Sequence, residues 1–435
     1  MPENVIAVAL ILPDLTRSVA EEHLSELEKL IETAGGAVAD RVFAKRPRPD
    51  PATYVGSGKA EQIKSLVEKT GATLIVFDDD LSPAQVRNLE KITEVKVIDR
   101  SGLILDIFAG RARSREARTQ VELAQLEYML PRLTRAWTHL ERQAGGIGTR
   151  GVGETQLELD RRIIRNRIAR LKEELTKIER TRQTQRKSRN TVFTVALVGY
   201  TNAGKSTLFN RLTSGSADAA DKLFATLDAK SARAAFEMPR ETVIIDTVGF
   251  IRKLPHHLVA SFRSTMEEAV AADLVLHVID SSHPQFEDQR TVGDDVLREL
   301  GVQMDRVIEV YNKYDLTEEG SRGLAVAGSR GEEPHARRET PKPRDRATVS
   351  ALTGRNIDRL IEIIRERELE NGEIIQLEIP HNDARMIAKL HDVAEVYEQR
   401  VTDRAMLITA WIPRDALHLF EAYTAAGLMK PAKVS

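Results

Sequence analysis

Gly199-Tyr200-Thr201-Asn202-Ala203-Gly204-Lys205-Ser206 fits G-x-x-x-x-G-K-[ST], a phosphate-binding loop, and the rest of the chain is read outward from it. A β-branched run, 192–198, precedes it and a helix-forming stretch, 206–212, follows, which is the strand, loop and helix start that the motif requires. Glycines let successive backbone N–H groups turn inward around a polyphosphate, and the helix N-terminus adds partial positive charge. In such a loop Lys205 reaches the β- and γ-phosphates and the Ser206 hydroxyl ligates Mg²⁺. A plain glycine turn before a helix satisfies the same pattern, so the assignment needs further support.

That support lies downstream, in order. Asp246-Thr247-Val248-Gly249 ends an apolar strand, 242–245; Asp246 is placed to hold Mg²⁺ through water, and the Gly249 N–H to approach the γ-phosphate. Asn312-Lys313-Tyr314-Asp315 ends another strand, 307–311, and lets the Asp315 carboxylate accept hydrogen bonds from guanine N1 and N2, which adenine does not offer. Asn312 ties that strand end to the phosphate loop, and the Lys313 stem covers the base face. Ser350-Ala351-Leu352 ends the next strand and presents a backbone N–H to guanine O6. Between the first two motifs, Phe224-Ala225-Thr226-Leu227-Asp228 occupies the place of a nucleotide-sensing segment, with Thr226 as the second hydroxyl for Mg²⁺. Each motif is weak alone; five in order predict a GTP-binding domain over 191–370, with catalytic roles for Lys205, Thr226 and Gly249. Its alternating strands and helices predict a mostly parallel sheet with the site at the strand C-terminal ends. Where Ras-like enzymes carry a water-orienting glutamine, this chain has Phe250, so intrinsic turnover should be slow.

A chain of 435 residues is too long for one core and suggests two to four domains. With 41% hydrophobic and 30% charged residues the composition is that of a globular protein, and the absence of cysteine excludes disulfides, thiolate metal sites and cysteine nucleophiles. The apolar run 5–12 is too short to span a bilayer, its flank is unlike a signal peptide, and a cytoplasmic location is expected. Residues 1–110 predict a small α/β domain, with helices over 19–33, 59–69 and 83–92 and strands over 5–12, 37–43, 73–77 and 95–98. Gly56-Ser57-Gly58-Lys59 resembles a phosphate loop but reads better as a helix cap, and Asp78-Asp79-Asp80 as a solvated strand end.

Residues 111–190 differ. Leu123, Leu126, Leu130, Leu133, Trp137 and Leu140 alternate steps of three and four. Leu157, Ile164, Leu171 and Ile178 repeat every seven, with Ile168 and Leu175 at the other seam position. Two such seams with a short connection predict an antiparallel helical hairpin, each arm about 45 Å long, and Pro131 in the first arm should kink it or remove one hydrogen bond. Positions 111–189 hold 20 Arg and Lys against 10 Asp and Glu, whereas the whole chain carries −2. A projecting arm with that excess predicts contact with nucleic acid, although a solvated charged face is its plainer alternative. The connection, Gly145-Gly146-Ile147-Gly148-Thr149-Arg150-Gly151-Val152-Gly153-Glu154, holds a false dinucleotide fingerprint, since a helix and no strand precedes it. Gly146, Gly148, Arg150 and Gly151 are the residues expected to meet RNA. A disordered insertion is expected over 321–347, and a small C-terminal α/β (α+β) domain over 371–435, read as strand 374–379, helix 384–401, strand 405–412 and helix 414–423.

The combination resembles the HflX family of ribosome-associated GTPases, within the translation-factor-related class. The tip 145–154 running into Thr155-Gln156-Leu157-Glu158 carries the resemblance, with the phosphate loop, Phe224–Asp228, Asp246-Thr247-Val248-Gly249-Phe250 and Asn312–Asp315. It spans about 5–320 and 345–435 and departs at the long insertion and at Ala229-Lys230, where a proline and a small polar residue are expected. The resemblance implies a P-loop GTPase that uses GTP and Mg²⁺ and binds the large ribosomal subunit and its rRNA. It implies splitting or rescue of stalled or idle ribosomes under stress, with hydrolysis controlling release. The protein is expected to be monomeric when free, to bind no DNA and to span no membrane, with peripheral membrane association as a variant of its location. Asn202 occupies the loop position that, in potassium-activated relatives of this class, helps hold K⁺. Two other readings compete: a membrane-acting GTPase, for which no basic amphipathic helix or lipidation site is found, and a non-catalytic RNA-binding protein, against which Lys205, Ser206, Thr226 and Asp246 argue.

Overall fold

A computed structural model of the chain describes residues 3–13, 15–133, 156–187, 192–213, 224, 229–238, 240–253, 263–317, 345–370, 372–402, 404–414 and 416–424. The chain divides into two compact units: Met1–Arg180 with Ala220–Asp228 and Ile251–Ser264, and Thr181–Ala219 with Ala229–Phe250 and Thr265–Ser435.

The first unit is built on four parallel strands, β1 (Asn4–Ile11), β2 (Ala37–Lys45), β3 (Leu74–Phe77) and β4 (Lys96–Asp99), in the order β2-β1-β3-β4. Every residue of β1 after Asn4 is buried, as expected of a central parallel strand covered on both faces. Helices α1 (Arg17–Thr33), α2 (Ser57–Thr70) and α3 (Pro83–Thr93) connect the strands. Thr16 caps α1, and a reciprocal Ser82–Gln85 capping box starts α3. Gly56 stands at the N-cap of α2 in a left-handed conformation, φ 89°, which a glycine tolerates. Helix α4 (Arg100–Arg111) has no counterpart in the expectations above; it follows β4 without a break, capped by the Asp99 carboxylate on the Gly102 N–H. Its buried apolar run, Leu103 to Leu105 with Ile107 and Phe108, lacks the one-sided pattern that marks a surface helix.

The expected hairpin is present as α5 (Arg115–Met129) and α6 (Gln156–Lys187). Arg115 pairs with Glu174 and Glu122 with Arg167, so partners fall along one helix as they rise along the other, which makes the pair antiparallel. On α6 the seam residues Ile164, Ile168, Leu171, Leu175 and Ile178 are all at least half-buried, and Leu171 fully. α5 ends at Met129 and Pro131 lies in a 3₁₀ turn, Leu130–Arg132. Its missing N–H removes the next rung of the ladder. Trp137, Leu140 and the whole tip, 145–154, lie outside the described residues.

The second unit holds a six-stranded sheet of β5 (Phe193–Gly199), β6 (Lys230–Arg233), β7 (Thr242–Asp246), β8 (Leu274–Asp280), β9 (Val307–Asn312) and β10 (Arg346–Thr348). Its order is β10-β9-β8-β5-β7-β6, all parallel except β6. Helices α7 (Lys205–Leu212), α8 (Arg263–Ala271), α9 (Phe286–Glu299) and α10 (Ile357–Glu370) accompany it. The insertion expected over 321–347 is too long at its end, because Arg346 and Ala347 form β10 and Ala347 is buried. Residues 321–344 lie outside the described residues.

The C-terminal part is an antiparallel sheet of β11 (Gly372–Pro380), β12 (Glu395–Val401) and β13 (Ala405–Pro413), order β11-β13-β12, with helix α11 (Ala384–Val393). The expected helix 384–401 is therefore half strand. Ala394 turns extended, φ −128° and ψ 155°, and the β-branched and aromatic residues Val396, Tyr397 and Val401 fit a strand better than a helix. The expected helix 414–423 is instead two 3₁₀ turns, Leu417–Leu419 and Glu421–Tyr423.

Candidate nucleotide site

The loop 199–206 leaves β5 and enters α7. Gly199 sits at φ 145°, and a Cβ there would lie 2.1 Å from the Val278 carbonyl oxygen of the neighbouring strand, so no side chain fits. Gly204, at φ 91°, turns the chain into α7, and a Cβ would strike the Asn312 amide at 2.2 Å. Asn202 is left-handed, φ 63°, and exposed. The Ala203 carbonyl accepts from Asn312 Nδ2 at 2.8 Å, and Asn312 Oδ1 accepts from the Ala351 N–H at 2.9 Å. One side chain thus joins the phosphate loop, the end of β9 and the loop after β10.

Lys205 is 7% exposed and donates to the carbonyls of Gly199, 3.1 Å, and Tyr200, 2.8 Å. Burial lowers its pKa to about 8, against the opposing pull of Asp246. It stays a cation at neutral pH, hydrogen-bonded to carbonyl dipoles and drawn by the Asp246 charge, where phosphate oxygens would be stronger partners. Asp246 ends β7 with no exposure and accepts from Ser206 Oγ at 2.8 Å. A hydroxyl and a carboxylate brought together at a strand end are the hard oxygen donors that Mg²⁺ takes. Thr247 Oγ1 bonds the Leu197 carbonyl at 2.7 Å, while Thr201 Oγ1 is buried with no hydrogen-bond partner among the described residues.

Gly249 is confined: a Cβ would lie 2.9 Å from Lys205 Nζ and from Thr201 Cα. The adjoining backbone is stitched to the loop by Thr201 N–H to the Phe250 carbonyl, 2.7 Å, and Phe250 N–H to the Gly199 carbonyl, 2.9 Å. Phe250 itself is 1% exposed, so its ring is part of the core. Val248 is also buried.

At the end of β9, Lys313 is left-handed, φ 60°, and its ammonium pairs with Asp280 at 2.7 Å. Asp315 is half-buried and its carboxylate makes no hydrogen bond or ion pair among the described residues. Ser350 is fully buried and Leu352 is exposed. Phe224 belongs to the first unit, where its ring meets Phe108 edge-on at 4.6 Å. Ala225, Thr226, Leu227 and Asp228 lie outside the described residues, as do Gly146, Gly148, Arg150 and Gly151. Two side chains at the site escaped the motifs. Asp280 holds Lys313, and Arg211 donates to the carbonyls of Ala351, 3.2 Å, and Leu352, 2.7 Å. Arg211 is on the same helix as Lys205, but nothing local signals a target 140 residues away.

Comparison with known proteins agrees with this geometry. Residues 21–109 match the family described as GTP-binding GTPase N-terminal, 111–189 the GTP-binding GTPase Middle Region, and 194–313 the 50S ribosome-binding GTPase. GTPase HflX of Escherichia coli (strain K12) is 45% identical over 382 residues, 87% of this chain and 86% of its own length. GTPase HflX of Magnetococcus marinus is 46% identical over 405 residues, 92% of this chain and 90% of its own. A GTP-binding protein of Sulfolobus solfataricus, solved with GDP, is 25% identical, with 84% of this chain and 99% of that one covered and a TM-score of 0.41.

Proposed function

This chain belongs to the HflX family of GTPases, and we propose that it spends GTP on the large ribosomal subunit, splitting or rescuing stalled and idle ribosomes under stress, with hydrolysis controlling release. The reaction itself is hydrolysis of GTP to GDP and phosphate. The observation that carries the ribosomal part is the charge of the hairpin. On α6, Arg165 and Arg170 are exposed and make no ion pair among the described residues. A basic helix of this kind meets RNA phosphates.

In the proposed site the loop amides and Lys205 hold the β- and γ-phosphates, Ser206 and Asp246 would hold Mg²⁺, and Asp315 reads the guanine edge. The cation, when bound, offsets charge on the transferred phosphoryl group. Among the described residues no helix is long and apolar enough to cross a membrane.

Because Phe250 is in the core, its side chain orients no water, and a monovalent cation beside Asn202 would supply missing charge. Hydrolysis is expected to run faster in K⁺ than in Na⁺, with the difference lost in Asn202→Ala. Phosphate release measured in both salts at matched ionic strength decides it; equal rates would remove the ion from the mechanism.

The hairpin tip is proposed as the part that meets ribosomal RNA, its glycines allowing close backbone approach and Arg150 pairing with phosphate or stacking on an unpaired base. Arg150→Ala, or deletion within 146–151, should leave GTP affinity in filter binding near wild type. Splitting, followed by light scattering of intact ribosomes with GTP, should fall severalfold or more. Full splitting by the shortened tip would end the assignment, and lost GTP affinity would mean that the hairpin supports the nucleotide domain instead.

A further inference from the structure

Arg211 closes α7, the helix that begins at Lys205. Its guanidinium reaches across to the loop 350–354, where Nε donates to the Ala351 carbonyl at 3.2 Å and Nη2 to the Leu352 carbonyl at 2.7 Å. Two successive carbonyls can face one guanidinium only where the chain coils, because in a strand they alternate. This loop does coil: the Gly354 N–H bonds the Ser350 carbonyl at 2.9 Å, closing a single helical turn. Gly354 then leaves it at φ 88°, with Arg211 3.6 Å from where a Cβ would be. A planar fork of donors matches that pair of acceptors, and a lysine's single ammonium would not.

The consequence lies on the other side of the peptide planes. In a trans peptide the N–H of one residue points opposite to the carbonyl of the residue before it. Holding the Ala351 carbonyl towards Arg211 therefore turns the Leu352 N–H away from it. The neighbouring amides are already engaged: Ala351 N–H with Asn312 Oδ1 at 2.9 Å, and Thr353 N–H with Ser350 Oγ at 3.1 Å. Leu352 N–H alone of these three has no partner among the described residues. Asn312 pins this loop to the strand end that carries Asp315, so the unengaged donor and the unengaged carboxylate belong to one end of the site.

We infer that Arg211 is a positioning residue for guanine recognition, which fixes the Ala351 and Leu352 carbonyls so that the Leu352 N–H is presented to O6 of the base. This rests on the proposed nucleotide site and adds to it a division of labour. Asp315 reads N1 and N2, and Arg211, acting through a backbone amide, sets the reading of position 6. The Ala351 N–H, engaged by Asn312, keeps a scaffolding role.

The test uses the full-length protein and three diphosphates in equilibrium binding: GDP, xanthosine diphosphate, and the diphosphate of 2,6-diaminopurine riboside. The last keeps the amine at position 2 but carries at position 6 an amine that opposes Leu352 N–H, and it lacks the N1 hydrogen, a loss at Asp315 that is the same in wild type and in the Arg211 variants. Wild type should bind GDP far better than the diaminopurine nucleotide. Arg211→Ala should weaken GDP about tenfold, the worth of one hydrogen bond, and leave the diaminopurine nucleotide unchanged, so that their ratio shrinks about tenfold. The ratio of GDP to xanthosine diphosphate, which both carry O6, should not move. Arg211→Lys, with one donor centre for two carbonyls, should fall between, and it stands in should the alanine variant fail to fold. A ratio at position 6 that stays at its wild-type value in a folded variant overturns the inference, as does an equal loss for all three nucleotides. A wild type without preference between GDP and the diaminopurine nucleotide would instead sink the proposed guanine site itself.

Discussion

Asp315→Asn is expected to weaken GTP binding by roughly a hundredfold or more and to raise affinity for xanthosine triphosphate. In the proposed site the carboxylate would accept from both N1–H and the amine at position 2 of guanine, and hydrogen bonds to a charged group contribute about 1.5–3 kcal/mol each. Asparagine keeps one acceptor for N1–H but sets an amide N–H against the guanine amine. Xanthine carries a carbonyl there, which that N–H can donate to. The structure favours a clean result, because Asp315 makes no hydrogen bond or ion pair among the described residues, so its replacement breaks none there. Titration of both triphosphates against the variant is sufficient. A preference for GTP that persists at its wild-type ratio would take Asp315 out of base recognition.

How much of this could be read from sequence follows the range of the interactions involved. The strand, loop and helix about 199–206 were legible, because glycine spacing and a β-branched run are local signals. So was the parallel order of the sheet, which alternating strands and helices impose. The antiparallel arms were legible from a seven-residue period, and so was the hydrogen bond that Pro131 removes, but the end of α5 at Met129 was not. Helix α4 was missed because burial on nearly all sides erases periodicity. The segment 384–401 satisfied a helical stripe and a strand equally until Ala394 broke it. Arg211 was illegible because its meaning lies in carbonyls brought to it by the fold.

Asp78 marks the same limit with a larger energy. From sequence, Asp78-Asp79-Asp80 is a solvated strand end; in the first unit Asp78 is 2% exposed. Arg100, itself 1% exposed, meets it at 2.7 Å and also pairs with Glu26. Lys253 approaches at 3.0 Å and Arg252 at 3.3 Å, while Lys253 pairs with Asp79 as well. Three cations around one buried carboxylate could not be read from a run of aspartates, because two of them come from 174 and 175 residues further along the chain.

Asp78→Ala is therefore expected to destabilise the first unit by about 3–5 kcal/mol, the cost of breaking a buried pair and leaving Arg100 with Glu26 as its one carboxylate partner among the described residues. Removing the charge from both sides, as in Asp78→Ala with Arg100→Met, should recover part of that loss, since the buried guanidinium goes with its partner and Arg252 is left to face Glu26. Burial pushes the Asp78 carboxyl up, but Arg100, Arg252 and Lys253 outweigh it and hold the pKa below the ordinary 3.8. A carboxyl depressed on folding stabilises the fold above its unfolded value and loses that contribution as pH falls through its folded value. The gap in stability between wild type and Asp78→Asn should thus be constant at neutral pH and close below about pH 4. Hydrogen exchange of the β3 and α4 amides reads the unit directly and avoids assuming one transition for the whole chain. A loss under 1 kcal/mol in Asp78→Ala would show that the three cations find water when their partner is gone, and that the cluster is held by its surroundings and not by its charge.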